Sequence, residues 1–369
     1  MTSKNLDNNN SAHSLSSHNH GIDLLRIFIA FYMVFNHAVG QGGIIGNLKE
    51  GTLAYSIIWF INILNNCGAN IFILISGYTS ITRKEKKDYW SRLIVLYLEV
   101  LFYNVLVYLI YNLTHGMEIT MPELVKKFFP VTNTTYWYFS MFVGLSAIKP
   151  LLDKGIREME EKYLRQVFFA LVILYGIYPF FYGGFGLIDG FSVIWFVVLY
   201  AIGAIAKKCE IGKNLSIFTC LAFVLILGAF TWIWKMHGPT FSICGKPIDP
   251  DVFIPYASPT MFGMAFFELL AFSKMNFSSF SQKVINFAAP SVFGVYILNT
   301  HPSFWYYELK DRFVTLASRR ISVLLPRILL HMIIFVTAAV LIDKGRQILF
   351  RKLRVSEKAA SLIANFNRD

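Results

Sequence analysis

Long apolar runs alternate with short polar segments from residue 22 to residue 343 of the chain. An α-helix rises about 1.5 Å per residue, so roughly 20 apolar residues are needed to cross the hydrocarbon core of a bilayer. Runs of about this length predict ten membrane-spanning helices, near residues 22–41, 54–81, 89–113, 134–152, 166–183, 191–206, 214–236, 253–273, 284–304 and 323–343. The ninth run is the weakest, because Pro290 and Pro302 interrupt its helical pattern.

The first run, GIDLLRIFIAFYMVFNHAVG, contains Arg26 and His37, eleven positions apart. At about 100° per residue, eleven steps make three full turns and roughly 20°, so both side chains lie on one helix face, about 16 Å apart along the axis. An arginine in the middle of a membrane helix costs roughly 2.5 to 3.5 kcal/mol on insertion scales, which indicates a function. The alternatives are that Arg26 reaches the lipid headgroups and that His37 bonds to a neighbouring helix.

The composition is that of a membrane protein, with 55% hydrophobic and 15% charged residues and a mean hydropathy of +0.51. We therefore predict an all-α fold, a polytopic membrane helical bundle of about ten transmembrane helices in the lipid bilayer. The net charge is +12, but the basic residues occupy short patches between apolar runs, which favours membrane orientation over nucleic-acid binding. The four cysteines share no repeated spacing, so neither a disulfide framework nor a metal site is predicted.

Lysine and arginine are concentrated in alternate connections, which predicts that the N-terminus and the C-terminus both face the cytoplasm, N-in and C-in. One outer connection departs from this rule. It could face an anionic substrate or lipid, or indicate a miscounted ninth helix, and its basic residues are Lys310, Arg312, Arg319 and Arg320. We predict a disordered cytoplasmic tail at residues 1–20, a transmembrane domain at 21–345 and a basic cytoplasmic tail at 346–369.

Three other ionisable residues inside predicted spans are candidates for function. Glu99 and Glu268 lie near mid-depth of the third and eighth runs. Either could orient His37 through its second ring nitrogen, or be a protonated carboxyl bonded to helix backbone. His331, in the last run, could share its depth with His37.

Small and aromatic residues supply further candidates. Ser76 and Gly77 could provide a hydroxyl and an accessible backbone N–H, or could allow two helices to pack closely. Tyr136, Trp137 and Tyr138 begin the fourth run. They could form part of an aromatic belt at the membrane surface, or a platform on which an acceptor sugar stacks.

These motifs together resemble the acyltransferase family 3 membrane proteins. An arginine, ten residues and a histidine in the first span are similar to that family's signature. NIFILISGYTSI resembles its Phe-Phe-x-x-Ser-Gly segment, with Ile73 at the second aromatic position. TTYWYFSMFVGLSAIKPLL, SVIWFVVLYAIGAIAKK and SVFGVYILNTHP resemble its Trp-Tyr span, its Tyr-x-x-Gly span and its late Gly-x-Tyr-x-x-His motif. The resemblance runs in order from Ile22 to about Asp343.

The resemblance implies roles for three residues. His37 is the expected catalytic residue, as a general base or as a carrier of the acyl group. Arg26 and Arg92 are expected to bind the acyl donor, although the family's basic pair is matched only loosely by RKEKK, before Arg92. No role is implied at Asn299, where the family usually has a histidine; His301 follows two residues later.

The resemblance also implies the reaction. The expected activity is transfer of an acetyl group from cytoplasmic acetyl-CoA to a hydroxyl of a cell-surface or secreted polysaccharide, or of its lipid-linked precursor, in a bacterial plasma membrane. Acetyl-CoA is then a co-substrate, and no permanently bound cofactor is expected. The alternative is a secondary transporter or flippase of a glycan-related substrate, but the two halves of the chain show no matching broken helices. A non-catalytic membrane scaffold gives no reason for an arginine and a histidine on one helix face.

Overall fold

The computed structural model describes residues 18–82, 89–133, 135–179, 185–238, 242–243, 246–247 and 249–366. Most of the tail predicted to be disordered, residues 1–17, and the basic RKEKK segment at 83–87 lie outside the described residues. Two short strands among the described residues, β1 (Ser242–Ile243) and β2 (Lys246–Pro247), pair in antiparallel orientation.

Helices make up nearly all of the regular structure in the described part of the chain. The first seven are α1 (His20–Val39), α2 (Leu53–Asn66), α3 (Gly68–Ser80), α4 (Tyr89–Thr114), α5 (Met121–Lys127), α6 (Trp137–Glu158) and α7 (Glu161–Leu171), the last continued by a π-helix over Val172–Ile177. The next seven are α8 (Val193–Lys208), α9 (Ile217–His237), α10 (Pro259–Ser273), α11 (Ser279–Ala288), α12 (Val292–Thr300), α13 (Ile321–Lys352) and α14 (Val355–Phe366).

The prediction of an all-α membrane bundle is confirmed. Each of the ten predicted runs contains a helix. By length and hydropathy, five helical segments of the described residues can cross a membrane: His20–Val39, Leu53–Ser80, Tyr89–Thr114, Ile217–His237 and Ile321–Lys352. The total of ten spans and the N-in, C-in orientation therefore stay predictions.

Helix α1 lies in the middle of the bundle. The side chain of Asn19 accepts a hydrogen bond from the backbone N–H of Ile22 and so caps the first turn of the helix. Around its axis, α1 packs against α2, α3, α10, α11, α12 and α13. Arg26 and His37 therefore lie on a helix with neighbours on most of its sides.

Helices α3 and α8 pack closely, and glycine makes their approach possible. A Cβ atom at Gly77 would lie 2.0 Å from the carbonyl oxygen of Tyr200, and one at Gly203 would lie 2.2 Å from that of Leu74. Such distances leave room only for hydrogen, so the two backbones touch directly. Of the two roles left open for Gly77, the structure shows close helix packing.

The ninth predicted run is broken where its prolines fall. Helix α11 ends before a 3-10 turn that contains Pro290, and α12 then runs to Thr300. Pro302 begins a separate short helical segment that continues to Leu309. Because proline lacks a backbone N–H and clashes with the preceding turn, each break lies where a helix could not continue unchanged. One uninterrupted helix over 284–304 is therefore not formed.

A buried ion cluster joins α4 to α13. The guanidinium of Arg346 lies 3.2 Å from a carboxylate oxygen of Glu99 and 2.7 Å from one of Asp343, and the Tyr103 hydroxyl donates to Asp343 at 2.9 Å. Helix α13 passes without a break through the boundary predicted between residues 345 and 346, and α14 packs against α4. Part of the predicted basic tail is thus helical and in contact with the bundle.

Candidate active site

One cavity of about 1510 Å³ runs along α1, and both Arg26 and His37 line it. Its other walls come mainly from α2, α3, α4, α6 and α12. We name its two ends after these side chains. Helices α1 and α4 begin at the Arg26 end, where α3 and α6 finish; the His37 end contains the start of α6 and the segment after α12. The eleven-residue spacing thus places the Arg26 guanidinium and the His37 imidazole along the wall of the same cavity.

His37 is held by Asn299, a fully buried residue near the end of α12. The imidazole Nδ1 lies 2.5 Å from the amide oxygen of Asn299. An amide oxygen only accepts hydrogen bonds, so this contact places the imidazole proton on Nδ1 and leaves Nε2 with its lone pair. The tautomer is the one that a general base or an acyl-accepting nucleophile requires.

Trp305 fixes this pair from the side. Its ring meets that of His37 edge to face, with centroids 5.0 Å apart, and its indole N–H donates to the backbone oxygen of Asn299 at 2.6 Å. Within the described part of the chain, the buried amide nitrogen of Asn299 has no hydrogen-bond partner. The side chain therefore serves one visible contact, the one to His37.

His301, two residues after Asn299, has a different place. It is fully buried, its Nε2 lies 3.2 Å from the backbone oxygen of Asn104, and its Nδ1 accepts from the N–H of Ser303 at 3.0 Å. Both ring nitrogens are thus used to join α4 to the turn after α12. At the late motif, Asn299 is the residue that meets His37.

The Arg26 end is cationic. Arg26 pairs with Asp23, one turn earlier on α1. Arg92, the other predicted donor-binding residue, also lines the cavity, together with three cations of α6: Lys149, Lys154 and Arg157. Asp153 forms an ion pair with Lys149. Among the described residues that line this end, cations outnumber carboxylates. Cations on a confined surface attract anionic groups such as phosphate.

Sequence reasoning missed the α6 cations as site residues and treated them as orientation signals. A usable signal was present, because Lys149, Asp153 and Arg157 lie four residues apart and so share one helix face. Arg157 also donates to the backbone oxygen of Ser80, at 3.1 Å, where α3 ends. Ser76, on the same helix, lines the cavity as the sequence allowed.

The three remaining ionisable candidates have partners elsewhere. Glu268 accepts from the hydroxyl of Tyr32 at 3.3 Å and from the thiol of Cys67 at 3.5 Å. Glu99 pairs with Arg346 in the ion cluster of α4 and α13. The hypothesis that either carboxylate orients His37 is therefore wrong, since Asn299 holds that ring. Glu99 and Glu268 were both predicted near the middle of a membrane helix, but the packing of those helices gives each carboxylate different neighbours.

His331 has aromatic neighbours other than His37. Its ring packs edge to face on Phe313, at 4.9 Å between centroids, and near Phe335. The ring therefore lies between α13 and the segment that precedes it, with Arg312 also near it. The supporting role considered for His331 has no geometric basis in these contacts.

The three aromatic candidates at the start of α6 all line the cavity. Tyr136 is buried and its hydroxyl donates to the amide oxygen of Asn104 at 3.3 Å. Trp137 stacks on Tyr256, with centroids 5.6 Å apart and an angle of 23° between the rings. Tyr138 packs against Phe72. The aromatic side chains at the start of α6 therefore form part of the cavity wall.

A membrane helical bundle whose central helix presents an arginine and a histidine to one cavity fits a membrane acyltransferase. A family model described as an acyltransferase domain matches residues 19–343 of the chain. The chain therefore belongs to acyltransferase family 3 and is a multi-pass membrane acyltransferase. No curated protein and no solved structure matched the chain.

Proposed function

We propose that this acyltransferase is an O-acetyltransferase that takes the acetyl group from cytoplasmic acetyl-CoA. The observation that carries the proposal is the single cavity that joins the cationic Arg26 end to His37. Coenzyme A has phosphates at one end and its thioester at the end of a long thin arm. In the predicted orientation, Arg26, Arg92 and the α6 cations hold the phosphates near the cytoplasm while the arm extends toward His37.

The chemistry follows from the tautomer of His37. Nε2 removes the proton of an acceptor hydroxyl, whose oxygen attacks the thioester carbonyl carbon. The tetrahedral intermediate then expels the coenzyme A thiolate, which takes the proton back from the imidazolium and leaves as a thiol. A second route uses the same nitrogen: Nε2 attacks the thioester carbonyl carbon, the C–S bond breaks and the coenzyme A thiolate departs, leaving an acetyl-imidazolium. The acceptor hydroxyl then attacks the acetyl carbon, neutral His37 is released, and the hydroxyl proton passes to the thiolate. In both routes the Nδ1–H group of His37 has to be held in place, and Asn299 does this by accepting its hydrogen bond.

The acceptor enters from the His37 end. We propose a cell-surface or secreted polysaccharide, or its lipid-linked precursor, with Tyr136, Trp137 and Tyr138 at the mouth of the site. A bacterial plasma membrane is the proposed location. These aromatic side chains support this assignment, because apolar ring faces suit the C–H faces of sugars while polar groups nearby bond to hydroxyls.

The test compares the surface glycans of cells with and without the gene. We expect ester-linked acetyl groups on a surface glycan only where the gene is present, and incorporation of label from [¹⁴C]acetyl-CoA by membranes from those cells. Equal glycan acetylation in the two strains, or label that enters glycans without the protein, would refute the proposal. Purified protein that transports a glycan but transfers no acetyl group would support the transporter alternative.

Asn299 provides a test of how His37 is held. Asn299→Leu keeps the volume but removes the acceptor for Nδ1–H, so we expect kcat to fall about 10- to 100-fold, the size of effect seen for groups that orient metal-binding histidines. The KM for acetyl-CoA should change little, because Asn299 is remote from the cations. Asn299→Asp retains an acceptor and should recover most of kcat. If Asp and Leu are equally impaired, Asn299 has only a packing role.

A further inference from the structure

Helix α2 presents three asparagines to the cavity, and we call Asn62, Asn65 and Asn66 the amide face. They occupy positions i, i+3 and i+4, which share one side of a helix, and all three line the cavity. Amide side chains in a membrane-spanning segment are expensive unless they have polar partners. Three asparagines on one side of a mainly apolar helix therefore indicate a polar partner or ligand at that side.

The hydrogen bonds of the amide face leave capacity for a ligand. Asn62 donates to the amide oxygen of Asn36 at 3.1 Å, and Asn66 donates to the backbone oxygen of Ile254 at 2.8 Å. In the part of the chain that the structure describes, the side chain of Asn65 forms no hydrogen bond. An amide has two N–H donors and an acceptor oxygen, so Asn65 and the remaining groups of Asn62 and Asn36 can serve a neutral, hydroxyl-rich molecule.

Trp137 and Tyr256 line the same cavity, and we call this pair of rings the wall of Trp137 and Tyr256. Trp137 and Tyr256 are stacked, and Phe191 packs against both, with centroids 4.5 Å from Trp137 and 5.2 Å from Tyr256. Asn70 fixes the position of this wall by donating to the backbone oxygen of Tyr256 at 2.7 Å. Amides that bond to hydroxyls, together with flat apolar rings, form the chemistry that recognises an uncharged pyranose.

We propose that Asn36, the amide face and the wall of Trp137 and Tyr256 form a subsite for one neutral pyranose ring of the acceptor. The inference rests on the proposed function and names the acceptor class of that same site. Asn36 and His37 are consecutive on α1 and both line the cavity, so a ring bonded to Asn36 and Asn62 would share that space with the imidazole. The cations that suit an anion lie mainly at the Arg26 end, which leaves this surface to uncharged groups.

The experiment measures sugar binding without the acetyl donor. The full chain is purified in lauryldimethylamine oxide, a detergent without a sugar, and its tryptophan fluorescence is titrated with methyl glucoside, galactoside, mannoside and glucuronide. Because Lys310 also lines the His37 end, the glucuronide is the competing probe. We expect saturable binding of at least one neutral glycoside, weakened about five- to tenfold by Asn65→Ala, which removes hydrogen bonds to the sugar.

The matched control is Asn286→Ala, an exposed asparagine of α11 that should leave binding unchanged. Asn65→Ala should fold normally, since the amide supports no other protein group, and its unfolding temperature checks this. Absence of neutral glycoside binding to the wild type, equal binding by Asn65→Ala, or tighter binding of the glucuronide would each overturn the proposal.

The two proposals fail in different ways. If acetyl transfer to a glycan occurs but Asn65→Ala leaves the acceptor KM and glycoside binding unchanged, the pyranose subsite is wrong and the proposed function stands. If glycoside binding depends on Asn65 but the wild type transfers no acetyl group, the subsite stands and the proposed function is wrong.

Discussion

Replacement of His37 by alanine is expected to reduce acetyl transfer by at least about 10³-fold, because both chemical routes use its Nε2. Any residual rate would come from holding donor and acceptor together in the cavity. The cavity loses only one ring, so membrane insertion and coenzyme A binding should be retained. The measurement is transfer of labelled acetyl from acetyl-CoA to the surface glycan by purified protein in proteoliposomes, with coenzyme A binding measured in parallel.

The matched control for this prediction is His331→Ala. It removes a second histidine from a membrane-spanning helix, but one that packs against Phe313 and Phe335. We expect near wild-type transfer from this variant. A His37→Ala protein that folds, binds coenzyme A and transfers acetyl at the normal rate would remove His37 from the chemistry.

Replacement of Arg26 by glutamine is expected to raise the KM for acetyl-CoA about 10- to 100-fold, with little change in the KM for acceptor. A charge-assisted hydrogen bond to phosphate is worth roughly 1.5 to 3 kcal/mol, and glutamine loses the charge and the bidentate geometry. The measurement is initial rate against acetyl-CoA at saturating acceptor, and against acceptor at saturating acetyl-CoA.

Arg327→Gln is the control for the loss of a cation from a membrane helix. Arg327 lies on an exposed face of α13, so its replacement should leave both KM values unchanged. If Arg26→Gln lowers only the amount of inserted protein and the donor KM stays the same, Arg26 serves to anchor the helix at the lipid headgroups.

The fold could be predicted from sequence because the bilayer constrains it strongly. Every backbone polar group in hydrocarbon must be paired within its own segment, so apolar runs of about 20 residues become helices. The break in the ninth run could also be predicted, because Pro290 and Pro302 each lack the backbone N–H that a continuous helix needs. The continuation of α13 to Lys352 could not be predicted, because residues after 343 are charged and lie outside the apolar run. Arg346 in this part of the helix is held by its ion pairs with Glu99 and Asp343.

The site was predicted only as far as it lies on one helix. The spacing of Arg26 and His37 fixes their common face, but the partner of His37 depends on how α12 packs against α1. Asn299 lies 262 residues from His37, and no local pattern connects them. Glu99 and Glu268 were predicted at a suitable depth in the membrane, but they lie on helix faces directed elsewhere. Glu99 contacts Arg346, and Glu268 contacts Tyr32 and Cys67. Residue type and depth thus identify candidates, and packing selects among them.

The amide face shows the same limit from the other direction. Asn62, Asn65 and Asn66 lie within five residues of sequence, but a ligand-binding role is indicated only when Asn36, Trp137 and Tyr256 are found around the same cavity. A row of asparagines alone is equally typical of helix-to-helix hydrogen bonding.

The most direct test of the central claim, that one cavity connects a cytoplasmic donor to His37, uses sealed vesicles of known orientation. Acetyl-CoA, which does not cross membranes, is added outside inside-out and right-side-out vesicles that contain the acceptor, and labelled acetyl is measured on that acceptor. We predict transfer in inside-out vesicles, where the Arg26 end faces the added donor, and none in right-side-out vesicles. Transfer confined to right-side-out vesicles, or equal in both, would contradict the account.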